Sequence, residues 1–134
     1  MNGGDEIPTT DDNPWLRRLP ILVFSHAVGT LNVVSVMAMA PVIRGELGLS
    51  AALFGTFVSA YYGAQAVGSL PAGGVTDRFG IGRALVVAHV TMIIGAVIVA
   101  VAPGYGACIA GMMFMGLGYS MTNPSTARGV LEWF

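Results

Sequence analysis

Residues 73–83 read Gly-Gly-Val-Thr-Asp-Arg-Phe-Gly-Ile-Gly-Arg, and they lie between two long apolar runs. Glycines at 73, 74, 80 and 82 make the stretch a tight, permissive turn. Asp77, Arg78 and Arg83 place three of the chain's few charges there. The runs on either side, near 51–72 and 84–102, each have about the ~20 residues that cross a bilayer. A charged, glycine-rich turn between two such runs is the signature of a chain that leaves a membrane and re-enters it.

Composition agrees with that reading. The chain is 54% hydrophobic and only 10% charged, whereas a soluble domain is about one-quarter charged. Too little charge is present to coat a globule, so the expected class is an all-α, polytopic membrane protein whose partner is the lipid bilayer. The net charge of −1 leaves no basic surface for phosphates, which argues against a nucleic-acid partner. Cys108, the single cysteine, sits in an apolar run and reads as a packing residue. No metal-ligand cluster, nucleotide loop or nucleophile–base pattern is legible, so neither a cofactor, a metal nor an enzyme activity is expected.

Read outward from residues 73–83, four spans are expected, near 19–40, 51–72, 84–102 and 105–131. Residues 1–18 read as a disordered cytoplasmic tail, acidic through Asp5, Glu6, Asp11 and Asp12. The first run competes with a signal peptide, because Ala38-Met39-Ala40 resembles a cleavage site. Its length, the acidic segment before it and Pro41 after it favour a retained helix that Pro41 ends. Ser50 is placed to cap the second span. Ala60, Ala64, Gly68 and Ala72 recur every fourth position, and Gly55, Ser59 and Gly63 make a second row. Such rows let helices approach closely in lipid. Gly106, Gly111, Gly116 and Gly118 predict close packing of the fourth span, and Asn123-Pro124 predicts a kink in it.

Alternation of four spans puts Arg17, Arg18, Arg78, Arg83 and Arg128 on one side and Arg44 on the other. The arginine-rich side is then the cytoplasm, with both termini there.

The spacing of Gly73, Asp77, Arg78, Gly80 and Arg83 resembles the signature loop between the second and third helices of the major facilitator superfamily of secondary transporters. From charge alone, an ordinary loop obeying the positive-inside rule reads equally well; the glycine spacing favours the signature. Leu-Gly-Leu-Ser at 47–50, Ser-Ala-Tyr-Tyr-Gly at 59–63, Gly116-Leu117-Gly118 and the ending Asn123-Pro124-Ser125-Thr126-Ala127-Arg128…Trp133-Phe134 are also similar to bacterial members. The resemblance implies a partial form of a twelve-helix fold, with substrate held between two halves. It also implies that Asp77 braces the cytoplasmic side against a helix of the second half in the outward-facing state. Ile81 and Gly82 stand where basic residues are usual. Met112 stands where many proton-coupled drug exporters carry arginine, and no acid lies within a span, which disfavours a drug–proton antiporter.

Polar residues within lipid tend to mark function. His26 has two readings: a proton relay, because imidazole titrates near neutrality, and an interfacial histidine, which its depth favours. Asn32, Tyr62, Gln65, Asn123 and Arg128 are candidate cavity-lining residues. For Asn32, Tyr62 and Gln65, interhelical hydrogen bonding reads at least as well. Arg128 has the alternatives of attracting an anion and of snorkelling to headgroups. His89 reads as structural.

The expectation is the N-terminal part of a secondary transporter for a small metabolite, with an organic anion suggested by Arg128. It would sit in a bacterial inner membrane and depend on further helices, in a longer chain or a partner. The alternative is a self-contained four-helix protein acting as an oligomeric exporter or scaffold.

Overall fold

The computed structural model describes residues 14–133. These residues form seven helical segments and no strand: α1 (Pro14–Arg17), α2 (Leu19–Ala38), α3 (Ala40–Leu47), α4 (Ala51–Phe79), α5 (Ile81–Ala100), α6 (Tyr105–Ser120) and α7 (Thr122–Trp133). Of the expected tail, residues 1–13 lie outside the described residues, and Pro14–Arg17 form a helical turn. α2 and α5 are each long and apolar enough to cross a membrane; α3 and α4, bent by 119° at their junction, pass that test only together. α6, at 16 residues, is shorter and leads straight into α7.

The turn chemistry sets these boundaries. α2 breaks at Met39, and Pro41 lies in the first turn of α3, where a missing N–H costs nothing. α3 ends on Gly48 in the left-handed region (φ 63°), with Leu49 N–H reaching back to Arg44 O at 2.9 Å. Ser50 caps α4, its hydroxyl accepting from Leu53 N–H at 3.2 Å.

The glycine-rich stretch departs from its sequence reading. The second helix does not stop near 72. α4 continues through Gly73 and Gly74 to Phe79, and Gly80 alone turns the chain, at φ 82°. Glycine in a helix interior costs about 1 kcal/mol relative to alanine, so tertiary contacts must hold this segment. They do: Thr76 is buried, its hydroxyl donates to Ala72 O at 2.9 Å, and Ser125 Oγ donates to it at 3.0 Å. The stretch expected to be a fourth span is likewise two helices, interrupted at Met121, and neither is by itself long and apolar enough to cross a membrane. Pro124 follows in the first turn of α7, and with no N–H it leaves Ser120 O without its i+4 donor.

α6 is the hub. It runs parallel to α4 and antiparallel to α5, and touches both along its length. The contacts are backbone to backbone. A Cβ on Gly116 would fall 2.1 Å from Tyr61 O, and one on Gly118 would fall 2.6 Å from Ala88 O. Of the two small-residue rows on α4, Ala64 and Gly68 meet α6 in this seam and Ala72 is buried one turn on, while Gly55 and Gly63 face open space.

The outside of the bundle is unlike that of a soluble one. Small residues hold much of the inside, with Ser25, Gly29, Ala72, Ala84, Ala88 and Gly95 buried beside a few large ones such as Phe57, Met112 and Met115. Large apolar residues point outward, with Leu70 84% and Phe24 70% exposed. Only an apolar solvent tolerates that arrangement. Gly116→Ala is expected to overpack the α4–α6 seam and destabilise by about 1–3 kcal/mol, lowering the melting temperature in detergent. Gly63→Ala, with nothing within 4 Å, should leave it unchanged or raise it.

Candidate functional site

Halfway along the bundle, α2, α4 and α6 bring together uncharged polar groups. Tyr119 on α6 leans over Gly29 of α2, where a Cβ would sit 2.4 Å from its ring. Its hydroxyl then lies 3.3 Å from Thr30 Oγ1 and 3.4 Å from His26 Nε2. Thr30 spends its proton on His26 O at 3.1 Å, so in the Tyr119 contact the tyrosine donates. With the Nε2–H tautomer, His26 donates to Tyr119, which donates to Thr30.

Tyr61 of α4 approaches the same tyrosine, ring centroids 6.3 Å apart, and meets Tyr62 edge-on at 5.1 Å. Tyr61 is 1% exposed, and its hydroxyl has no hydrogen-bond partner among the described residues. Gln65 Oε1, one turn further on, and Thr122 Oγ1 at the start of α7 are also buried without partners among the described residues. An unpaired buried polar atom costs about 1–3 kcal/mol. These atoms therefore mark where water or a polar solute has something to bind.

The structure distributes the sequence candidates over three places. His26 and Tyr62 belong to the tyrosine cluster, and Gln65 follows one helical turn after Tyr61 on α4. Asn32 lies elsewhere: its amide donates to Val28 O at 2.9 Å, and it lines a cavity of about 380 Å³ with Ser35, Met39 and Glu46, toward α3. Asn123 is exposed in the first turn of α7, where its carbonyl accepts from Thr126. His89 spans one turn of its own helix, Nδ1 lying 2.7 Å from Leu85 O.

The signature residues sit at the arginine-rich end. Gly73 and Asp77 are helical, Arg78 lies over the Phe79 ring at 5.8 Å, Gly80 makes the turn, and Arg83 occupies the first turn of α5. Asp77 finds a partner within this chain: Arg128 of α7 bridges it to Glu132. The arginine that looked available for an anion is thus held between two carboxylates.

Sequence reading overlooked Tyr119, Thr30, Thr122 and Glu132. Tyr119 and Thr30 are on different helices and gain meaning only when these meet. Glu132 carried a usable signal, being four residues beyond Arg128 on one helix face.

The sequence profile of the Major Facilitator Superfamily matches residues 22–134, and the chain belongs to that family. With its outward-facing apolar helices, it is an integral membrane protein. It is also similar to "Inositol transporter 4" of Arabidopsis thaliana, 29% identical over 125 residues, which cover 87% of this chain and 21% of that one. The chain thus spans about one-fifth of the length of that curated relative. No solved structure gives a significant match.

Arg128→Gln leaves Asp77 and Glu132 without their shared cation. Since all three are substantially exposed, the expected loss is about 0.2–1 kcal/mol per pair, read as a lower melting temperature in detergent. The double variant D77R/R128D should recover part of it, whereas Asp77→Arg alone should not.

Proposed function

We propose that this chain forms the N-terminal part of a secondary transporter for a small, uncharged, polyhydroxylated solute. The tyrosine cluster is its half of the solute path. One observation carries the reading: the polar groups that α2, α4 and α6 gather are hydroxyls, an imidazole and an amide, with Tyr61 Oη and Gln65 Oε1 unpaired. Hydroxyls and amides exchange hydrogen bonds with a polyol, and aromatic faces pack on its C–H groups. A charged solute would need a countercharge, and the sequence case for an organic anion rested on Arg128, which two carboxylates occupy. The printed name of the plant relative, an inositol transporter, points the same way.

Further helices, in a longer chain or a partner, supply the opposite wall, since alternating access rocks one repeat bundle against another. The arginine-rich end, with Arg78, Arg83 and Arg128, faces the cytoplasm of a bacterial inner membrane. His26, hydrogen-bonded to Tyr119, is the group through which a proton would couple to solute binding.

The test is tracer uptake into proteoliposomes of the native protein, purified from its membrane with an antibody to residues 1–14. Labelled myo-inositol is expected to enter saturably, and a labelled monocarboxylate is not. Tyr119→Phe keeps the ring and removes the hydroxyl. It should raise the half-saturating inositol concentration about fivefold, the factor for one hydrogen bond of about 1 kcal/mol. Uptake of the anion without the polyol would overturn the proposal. Inositol uptake indifferent to Tyr119→Phe would remove the cluster from the path.

A further inference from the structure

On the outside of the bundle, the last turns of α4 and the first turns of α5 diverge from Gly80. They leave a groove of about 490 Å³ lined by Val75, Phe79, Ala84, Val86 and Val87, with Arg83 as its only polar side chain among the described residues. Phe79, Val86 and Val87 are about half exposed or more. This is no part of the tyrosine cluster, and no residue is shared with it.

The head of the groove is cationic and unsatisfied. Among the described residues Arg83 has no hydrogen-bond or ion-pair partner. The nearest acid in sequence, Asp77, is held by Arg128. Arg78 rests over Phe79 at the same end. α5 starts without a capping side chain and without an acidic residue in its first turn. Its first intrahelical bond from the turn is Ala84 N–H to Gly80 O, so the N–H groups of Ile81, Gly82 and Arg83 have no helical acceptor. Gly82 leaves open space beside them. Ile81, which stands where a basic residue is usual, is buried against Leu22 and Leu85. That pins α5 to α2 and leaves Arg83 as the cation that lines the groove among the described residues, with Arg78 beside it over Phe79.

The geometry points to a binding site for an anionic phospholipid, its phosphodiester received by Arg83 and the start of α5 and its acyl chain lying along Val75, Phe79, Val86 and Val87. Both halves of the site are needed to define the ligand. A soluble anion has no use for an apolar wall, and a neutral lipid has no use for an unpaired guanidinium. A zwitterionic headgroup brings its own cation to a place already carrying Arg78 and Arg83, so charge complementarity selects the anionic class.

Native mass spectrometry of the protein purified from its membrane, titrated with phosphatidylglycerol, phosphatidylcholine or inorganic phosphate, tests the site. Phosphatidylglycerol is expected to be retained and phosphatidylcholine lost at the same activation energy. Arg83→Gln should weaken phosphatidylglycerol retention about fivefold, the scale of one basic residue at an anionic surface. Arg83→Lys should keep the preference, and Arg44→Gln, at the other end of the bundle, should change nothing. Val87→Asn should reduce retention with Arg83 intact, which separates a lipid site from a bare anion site. Equal retention of the two lipids would overturn the proposal, as would an Arg83→Gln variant that binds like the wild type. Displacement of the lipid by inorganic phosphate at stoichiometric amounts would assign the site to a free anion instead, and no lipid binding at all would mean another helix covers the groove.

Discussion

The close approach of α6 to its neighbours is the constraint on which the rest of the structure depends. Inside a bilayer, apolar side chains gain nothing by leaving lipid for protein, so helices associate through van der Waals contact and polar ties. Both require short distances between axes. Gly116 against the Tyr61 carbonyl and Gly118 against that of Ala88 supply them. With the backbones that near, the Tyr105 hydroxyl reaches Thr56, and Ser125 reaches Thr76 inside the protein. Larger residues at those glycines would separate the helices and undo these ties together.

The same constraint creates the candidate solute path. α6 can carry the large Tyr119 only because it faces Gly29 on α2. The tyrosine is thereby brought beside His26 and Thr30 on one side and Tyr61 on the other. The unpaired hydroxyl of Tyr61 and carbonyl of Gln65 are hard to justify as packing, because burial without a partner is a net loss. They mark places where water or another polar molecule has hydrogen bonds to make. At the arginine-rich end, Arg128 ties α7 back to α4 through Asp77, so the signature aspartate is engaged within the chain before any second half is considered.

How much was legible beforehand differs between elements. The family followed from residues 73–83 because the motif is local: glycines and charges at fixed spacing keep their meaning without neighbours. The cap at Ser50 and the break before Asn123-Pro124 were readable for the same reason. The glycine-rich stretch itself was misread as a turn, since Gly73 and Gly74 weaken a helix on propensity alone. Contacts made by Thr76 with Ser125 and by Asp77 with Arg128 outweigh that weakness, and both partners lie on α7. For Arg128 the sequence showed a cation near a membrane face but not the two carboxylates around it.

Sequence by itself determined the membrane class, the family and the arginine asymmetry between the two ends. Each follows from composition or short spacing, which act on the chain before it folds. Tertiary structure alone decided which small-residue row became a seam, where α4 stops, which polar residues meet and where an unpaired arginine borders an apolar groove. Those outcomes depend on distances between residues far apart in the chain. In lipid, such distances are set by how closely the helix backbones pack.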